Sequence, residues 1–565
     1  MAGLVKKRLG EILVDAGLIT KEDLERALEI QRKTKGSLGQ ILIDMGLVTK
    51  EQVLKALSSQ LGVSYISLGD YLIDPEAITY VPRELAKKYM LVPIGKDGDR
   101  LIIAMAHPWD VRAIDHIRSI TGMPIRTVIA SEDEIKRVID QYYETSVGTS
   151  LEEVVREIGE DYYEEDVEVN RLREMAEETP VVKFVNLLLA RAVQERASDI
   201  HIEPRKDIVK IRYRIDGMLR DMFDSSKDLH PAVISRIKIL GGMDIAERRL
   251  PQDGRYVTKV GNREIDLRIS SLPTIYGEKI VIRLLDKSAA LLTLEELGYS
   301  KDNYDRFKEL IKKPYGIILV TGPTGSGKTT SLYSAIQILN TPDKNIITVE
   351  DPVEYQIDGI NQVQVNPKID LKFSTALRSI LRQDPDIILI GEIRDLETAR
   401  IAIQAALTGH LVLSTLHTND AASALTRLIE MGIEPFMVAS SVLGIIAQRL
   451  VRKICPRCKY EYEPTEDVKL EFKEMGLIKD DADFKLSKGK GCSYCNNTGF
   501  RGRTVVGEIL VLDNKIRAMV LEKKSSDVIK EYAQKEKGMI TLKEDAMRKV
   551  LETITSFDEA LRVVS

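Results

Sequence analysis

One stretch of the sequence, GIILVTGPTGSGKTTSLYSAI at residues 316–336, constrains the fold more than any other. The apolar residues 317–320 predict a buried strand, residues 322–327 a glycine-rich loop, and the residues from Lys328 a helix. A G-x-x-x-x-G-K-[ST] motif between a strand and a helix is typical of a loop that binds nucleotide phosphates through backbone N–H groups. The chain is therefore expected to contain a parallel α/β sheet, which the alternation of helix and strand patterns after about residue 300 also favours.

This loop supplies the candidate nucleotide-binding residues. Lys328 is expected to contact the β- and γ-phosphates, and the Thr329 hydroxyl to ligate Mg²⁺. The matched strand and helix on either side argue against a chance glycine loop. The full set is Gly322, Pro323, Thr324, Gly325, Ser326, Gly327, Lys328, Thr329 and Thr330.

Two acidic clusters each follow an apolar strand. Glu392 comes after the run Ile387–Ile390, where a Walker B acid is expected, although a glycine intervenes and the acid is Glu. Glu350 opens the second cluster, in ITVEDPVEYQ. Because the carboxyl ends of parallel strands meet at the ligand crevice, both clusters are expected near the γ-phosphate; ordinary turn residues are the alternative. His417 ends a further strand and is a candidate γ-phosphate sensor, whereas His410 precedes that strand.

The four cysteines form two C-x₂-C pairs, CPRC and CSYC, with 33 residues between them. Four thiolates at such spacing suit tetrahedral Zn²⁺ in a closed structural site, with free thiols as the alternative. The predicted zinc ligands, in an insert at about residues 450–505, are Cys455, Cys458, Cys492 and Cys495.

The N-terminal part contains a repeat. RLGEILVDAGLITKEDLERALEIQ at 8–31 and SLGQILIDMGLVTKEQVLKALSSQ at 37–60 share one pattern, separated by five residues. Helical periodicity, a glycine after the first helix and a capping residue before the second predict a helix–turn–helix in each copy. From the periodicity alone, a duplicated helical hairpin that only packs on itself is an equal alternative.

A length of 565 residues suggests several domains. An α/β part with a hairpin at KDGD is expected to follow the repeat, and a long helix is expected over 179–204. Residues 151–178 hold twelve acidic and three basic side chains, which favours a flexible linker over a solvated helix. The predicted parts are a regulatory domain at 1–145, an acidic linker at 146–178, an α/β domain at 179–290 and the domain of the phosphate-binding loop at 291–565.

Four motifs taken together, GPTGSGKTT, TVEDPVEY, LRQDPDIILIGEIRD and TGHLVLSTLHTN, resemble the secretion ATPases of type II secretion and type IV pilus systems. The resemblance covers roughly residues 180–565. It implies a multidomain α/β fold, with a RecA-like ATPase core after a PAS-like α/β domain and an N-terminal helical-repeat/α+β regulatory domain. The tetracysteine insert resembles the extension and secretion branch of that family.

The same resemblance implies roles for site residues. Glu350 would be the catalytic base, Glu392 would assist through Mg²⁺ or its waters, and His417 would contact the γ-phosphate region. Arg268 and Arg283 would reach the phosphates as arginine fingers, a role that suits the guanidinium group. Three further arginines flank the Walker B region and are candidates to bridge subunits: Arg378, Arg382 and Arg394.

The repeat resembles the c-di-GMP-binding module found at the front of some secretion and pilus ATPases, with its layout of 24, 5 and 24 residues. A duplicated module would offer a twofold-symmetric ligand two apolar seats, with glycines for close backbone approach. The second copy departs from the pattern at Ser37 and Val53. The implied ligand-binding residues are Arg8, Leu9, Gly10, Leu13, Gly17, Leu18, Leu38, Gly39, Leu42, Gly46 and Leu47.

Together with the motifs, the resemblance implies a homohexameric motor ATPase that powers type IV pilus extension, uses ATP, Mg²⁺ and Zn²⁺, and is regulated by c-di-GMP. The alternatives are a type II secretion ATPase, a c-di-GMP-responsive scaffold and a nucleic-acid translocase; a net charge of −5 disfavours the last. The N-terminus lacks the apolar core of a signal peptide, and no apolar run approaches the ~20 residues of a membrane span. A cytoplasmic location is expected, with membrane contact only through partners such as an inner-membrane platform protein.

Overall fold

A computed structural model describes residues 8–34, 36–69, 71–143, 176, 179–260, 263–286, 292–479 and 484–564. The chain divides into two units, Met1–Ala289 and Ala290–Ser565. Apart from Ala176, the predicted acidic linker at 146–178 lies outside the described residues. Among the helices that the structure describes, none combines the length and apolar character required to cross a membrane.

The repeat forms two helix pairs at the start of the first unit. Gly17 and Gly46 have φ of 68° and 69° and reverse the chain after the first helix of each copy. Thr49 is the predicted capping residue and forms a capping box with Gln52, and Thr20 and Asp23 exchange equivalent hydrogen bonds. The helices are α1 Leu9–Asp15, α2 Lys21–Thr34, α3 Leu38–Asp44 and α4 Lys50–Leu61.

Two buried glycines allow these helices to pack closely. A Cβ on Gly10 would lie 2.4 Å from Leu24 Cδ1, and one on Gly39 would lie 2.8 Å from Val53 Cγ1. Leu24 and Val53 occupy the same position in the two copies. The exchange of leucine for valine therefore falls on a helix–helix contact, and the glycines already have a packing role without any ligand.

A small α/β part follows the repeat. β1 and β2 form the predicted hairpin at KDGD, and β2 pairs in parallel with β3. The elements are α5 Pro75–Ile78, α6 Arg83–Tyr89, β1 Leu91–Asp97, β2 Arg100–Met105, α7 Val111–Thr121, β3 Ile125–Ile129 and α8 Glu132–Tyr143.

The rest of the first unit is an antiparallel sheet in the order β6-β5-β4-β9-β8-β7, with two helices packed on its apolar face. The helix predicted over 179–204 is wrong in its second half, since the helix ends at Gln194 and Ala197–Pro204 is a strand. Ile200 and Ile202 alternate there with polar residues, a strand period that favours one buried face. The elements are α9 Thr179–Gln194, β4 Ala197–Pro204, β5 Ile208–Ile215, β6 Met218–Ser226, α10 His230–Leu240, β7 Gln252–Val260, β8 Arg263–Thr274 and β9 Gly277–Asp286.

The second unit is built on a seven-stranded sheet in the order β12-β11-β13-β14-β10-β15-β18. The strands pair in parallel except for the β15–β18 pair. Its main elements are α11 Lys301–Ile311, β10 Gly316–Thr321, α12 Lys328–Leu339, β11 Ile346–Glu350, β12 Asn361–Gln364, α13 Phe373–Ile380, β13 Ile387–Ile390, α14 Leu396–Leu407, β14 Leu411–Leu416, α15 Ala422–Glu430, α16 Pro435–Ser441 and β15 Val442–Ile454. They are followed by β16 Lys459–Tyr462, α17 Glu466–Glu474, β17 Leu486–Gly489, β18 Phe500–Val511, α18 Asn514–Leu521, α19 Ser526–Lys537, α20 Leu542–Leu551 and α21 Phe557–Val564.

The two glycine contacts predict different tolerances to alanine. Gly39→Ala is expected to destabilise the repeat by about 1–2 kcal/mol, because the branched Val53 side chain adjusts less easily than the tip of Leu24. Gly10→Ala is the matched control and should cost less. Hydrogen exchange across residues 8–61 of the full chain measures both, and Val53→Ala should relieve the Gly39→Ala defect. Equal protection in the two single variants would contradict the packing interpretation.

Candidate functional site

The phosphate-binding loop lies between a fully buried strand and a helix, as its sequence predicts. β10 ends at Thr321, and α12 begins at Lys328. Lys328 Nζ donates to the carbonyl oxygens of Gly322 at 2.9 Å and Pro323 at 3.2 Å. Burial lowers the pKa of Lys328 and Arg449 lowers it further, whereas Glu392 opposes the shift. Lys328 therefore lies within the electrostatic reach of one cation and one carboxylate.

Glu392 lies at the carboxyl end of β13 among charged neighbours. It forms an ion pair with Arg394, and its Oε2 is 3.4 Å from His417 Nε2. His417 follows β14, the strand between β13 and β10. His410 lies at the opposite end of β14, where its Nδ1 is 2.8 Å from the Ala405 carbonyl oxygen. Of the two histidines, only His417 is placed beside an acid of the candidate site.

Glu350 ends β11 and is 3% exposed. Its carboxylate accepts hydrogen bonds from the Tyr333 hydroxyl, from Thr348 Oγ1 at 2.6 Å and from Gln362 Nε2 at 3.2 Å. A Cβ on Gly391 would lie 3.3 Å from Glu350 Cα. The glycine that interrupts the expected acidic pattern therefore lets the end of β13 pack directly against Glu350.

A hydrogen-bonded cluster beneath the loop has no counterpart among the sequence predictions. Gln448 on β15 is fully buried, and its Nε2 donates to the Ser326 carbonyl at 2.7 Å. Its Oε1 accepts from Tyr299 at 2.7 Å and from Ser331 at 2.9 Å. Because the Tyr299 and Ser331 hydroxyls donate to Oε1, the Gln448 amide has a fixed orientation in which Nε2 faces the Ser326 carbonyl. A lone glutamine in the apolar strand VLGIIAQRLV was the one available signal.

The predicted arginine fingers belong to the first unit. Arg268 on β8 is directly opposite Arg283 on β9, which is in turn opposite Asp199 on β4. Arg283 Nε lies 3.1 Å from Asp199 Oδ1, and its side chain is 59% exposed. In the second unit, Arg378 pairs with Glu397 instead of an acid of the candidate site. Arg382 donates to the Arg378 carbonyl oxygen.

The residues implied for c-di-GMP fall into two groups. Gly10, Leu13, Gly39 and Leu42 are buried within the repeat. The remaining members are exposed or half-buried: Arg8, Leu9, Gly17, Leu18, Leu38, Gly46 and Leu47.

The four cysteines come together as their spacing predicts, with all four sulfurs within 4.8 Å of one another. The Sγ–Sγ distance is 3.8 Å for Cys455–Cys492, and 3.7 Å for both Cys458–Cys495 and Cys492–Cys495. Zn–S bonds of about 2.3 Å in a tetrahedron separate the sulfurs by roughly 3.8 Å. Burial raises the pKa of Cys495, but N–H donors from Cys492 and Gly499 outweigh it, and the pKa falls to about 6. The thiols fit a structural zinc site.

Comparisons with known proteins agree with this geometry. A model of the family described as Type II/IV secretion system protein matches residues 174–562, and one described as MshEN domain matches residues 61–149. The type IV pilus assembly ATPase PilB of Myxococcus xanthus is 45% identical over 98% of both chains. Type II secretion system protein E of Xanthomonas campestris pv. campestris is 43% identical over 98% of both. The Yersinia pseudotuberculosis ATPase DotB, 22% identical, covers 72% of this chain and 96% of its own with a TM-score of 0.51.

The chain therefore belongs to the type II/IV secretion system protein family, and it is an ATPase with an MshEN domain. The predicted fold class is confirmed, since the ATPase core has the fold of the secretion ATPases. The helical repeat at 8–60 precedes the residues that the MshEN model matches.

Metal analysis tests the cysteine site. The full-length protein is expected to contain about one zinc ion per chain, because four thiolates complete a tetrahedral site. Cys492→Ser should lower the zinc content and expose residues 455–500 to protease, whereas Ser493→Ala in the same turn should retain the metal. A well-folded, zinc-free wild-type protein would reject the assignment.

Proposed function

We propose that the chain is a homohexameric motor ATPase that hydrolyses ATP to power type IV pilus assembly. One observation carries this function: Lys328, Glu350, Glu392 and His417 all lie at or beyond the carboxyl ends of neighbouring parallel strands of one sheet. The similarity of both full chains to a pilus assembly ATPase supports the pilus as the client.

The side chains of the site suit hydrolysis of the γ-phosphate. Lys328 and the loop N–H groups would hold the phosphates, and Thr329 would ligate Mg²⁺ with help from Glu392. Water would attack the γ-phosphorus while its proton passes to Glu350, and the bond to the ADP oxygen would break. His417, which faces Glu392, would sense whether the γ-phosphate is present.

The arginines of the first unit support a homohexamer. Arg268 and Arg283 stand on adjacent strands of a polar sheet face, and guanidinium groups there would stabilise charge on a transferring phosphoryl group. If arginines from a second copy of the same chain complete the nucleotide site, hydrolysis is coupled to the arrangement of the subunits.

The nearest alternative function differs only in the machinery that the motor drives, which would be a type II secretion system instead of a pilus. Similarity to a type II secretion protein is nearly as high, and that function would use the same chemistry. We place the motor in the cytoplasm at the inner membrane, where a platform protein would receive its motion. A nucleic-acid translocase remains disfavoured by the net charge of −5.

Lys328→Ala separates these possibilities. It is expected to abolish ATP turnover with the fold retained. Lys344→Ala, which removes an exposed lysine outside the phosphate-binding loop, is the matched control. A gene deletion complemented with Lys328→Ala should then lack surface pili while secreted enzymes stay at wild-type levels. Normal turnover would contradict the phosphate-loop assignment, and loss of secretion with normal pili would favour the type II client.

We further propose that the repeat binds c-di-GMP. Equivalent leucines at the surface of the two copies, Leu9 with Leu38 and Leu18 with Leu47, would give each half of a twofold-symmetric ligand an apolar seat. Arg8 is exposed beside the first seat and could pair with guanine or phosphate. The second copy has Ser37 at that position, so the first half would carry the charged contact.

Calorimetric titration of the full chain tests this regulation. Saturable binding of c-di-GMP is expected, weakened about tenfold in Arg8→Ala because a charge-assisted hydrogen bond is lost. Arg26→Ala, which removes an exposed arginine paired with Asp23, is the control. A flat titration of the wild-type chain would leave the repeat with a packing role alone.

A further inference from the structure

The phosphate-binding loop packs against one residue of β15 at both of its motif glycines. Thr321 at the end of β10 pairs with Ala447 on β15, so Gln448 comes next on β15 where the loop begins. A Cβ on Gly322 would lie 2.5 Å from the Gln448 carbonyl oxygen, and one on Gly327 would lie 3.3 Å from Gln448 Nε2. The two glycines of the G-x-x-x-x-G-K motif therefore let the loop approach the backbone and the side chain of Gln448.

The Gln448 side chain fixes the direction of one peptide group of the loop. The residue is fully buried, and its Nε2 donates to the Ser326 carbonyl at 2.7 Å. Because a trans peptide group is planar, its C=O and N–H point in opposite directions. A Ser326 carbonyl that is held on the buried side therefore turns the Gly327 N–H toward the outer side of the loop, where residues 323–325 are exposed.

Two hydroxyls keep the amide in this orientation. Tyr299 donates to Gln448 Oε1 at 2.7 Å and Ser331 donates to it at 2.9 Å. Burial raises the pKa of Tyr299 well above its ordinary value, so its hydroxyl keeps the proton that it donates. An inverted amide would present its NH₂ group to these two donors and its oxygen to the Ser326 carbonyl, and would lose all three hydrogen bonds.

Tyr299 is itself held in place, since the segment before α11 is fastened at its carbonyl groups. Ser334 on α12 donates from Oγ to the Leu292 carbonyl at 2.6 Å. Lys549 on α20 donates from Nζ to the Gly298 carbonyl at 2.8 Å. The hydroxyl that orients the amide therefore has a fixed position of its own.

We propose that Gln448 is a positioning residue for nucleotide binding: its amide holds the peptide between Ser326 and Gly327 so that the Gly327 N–H faces a nucleotide phosphate. Tyr299 and Ser331 act on the same peptide through the amide. This inference rests on the proposed phosphate-binding role of the loop. Backbone N–H groups of such a loop bind the α- and β-phosphates, which ATP and ADP share, so Gln448 contributes to the affinity for both nucleotides.

Gln448→Met tests the proposal in the full-length protein. The variant removes the donor, while the Tyr299 and Ser331 hydroxyls, 3.1 Å apart, retain each other as partners. KM for ATP is expected to rise about tenfold and ADP affinity to fall by a similar factor, the loss of one hydrogen bond to a charged group. Turnover at saturating ATP should stay within about twofold, because the ground state and the transition state use the contact equally. A merely destabilised fold would lower turnover without changing either affinity.

Three further variants show whether the donor and its orientation are responsible. Asn303→Leu is the matched control, because it removes another fully buried amide, whose Nδ2 donates to the Gly507 carbonyl at 2.8 Å. Both affinities should stay at their wild-type values in it. Tyr299→Phe and Ser331→Ala each leave one donor on Oε1 and should change the affinities less than about threefold. The double variant Tyr299→Phe/Ser331→Ala frees the amide to turn and should approach the loss in Gln448→Met.

Lys328→Ala distinguishes a failure of this inference from a failure of the function on which it rests. Normal turnover in Lys328→Ala would remove the assignment of the phosphate-binding loop itself. If Lys328→Ala is inactive while Gln448→Met keeps the wild-type KM and ADP affinity, or loses turnover alone, then Gln448 does not position the peptide. An equal loss of affinity in Asn303→Leu would assign the effect to general packing and would also overturn the proposal.

Discussion

Parallel pairing of β11, β13, β14 and β10 is the constraint on which the candidate site depends. Strands that run in one direction end at one edge, so residues far apart in sequence become neighbours there. Gly391 permits one such close approach, because a Cβ at that position would lie 3.3 Å from Glu350 Cα. The glycine before Glu392 in the sequence is thus explained by the packing of β13 against the end of β11.

Helix α12 connects the phosphate-binding loop with Glu350. Its Ser331 shares Gln448 with Tyr299 beneath the phosphate-binding loop, while its Tyr333 donates to Glu350. All these groups are buried, and a buried polar network must be fully satisfied to be stable. Motion of the loop is therefore linked to the position of Glu350, since one helix carries hydrogen bonds to the support of the loop and to this carboxylate. Such a link suits an enzyme in which nucleotide binding and hydrolysis have to stay in step.

The sequence predicted what local patterns encode. The strand–loop–helix around Lys328, the repeat and the cysteine cluster follow from spacing and period. The parallel α/β sheet follows from the alternation of elements, and the full fold class follows from the resemblance to the secretion ATPases. The helix expected over 179–204 ends early, because Ile200 and Ile202 belong to a strand whose partners β5 and β9 come later in the chain. Gln448 and Tyr333 escaped prediction for a related reason: their partners are set by tertiary packing, and neither residue stands in a recognised motif. The predicted roles of Glu350, Arg268 and Arg283 stay predictions.

The cysteine insert has a mechanical consequence for the nucleotide site. It connects β15 to β18, and Cys455 follows directly after β15, with its N–H donating to the Gly499 carbonyl at 2.9 Å. Zinc held by both cysteine pairs would fasten the ends of these two antiparallel strands together. β15 also carries Gln448, whose amide holds the carbonyl of Ser326. A metal that keeps β15 in register with β18 would therefore also keep the support of the phosphate-binding loop in place.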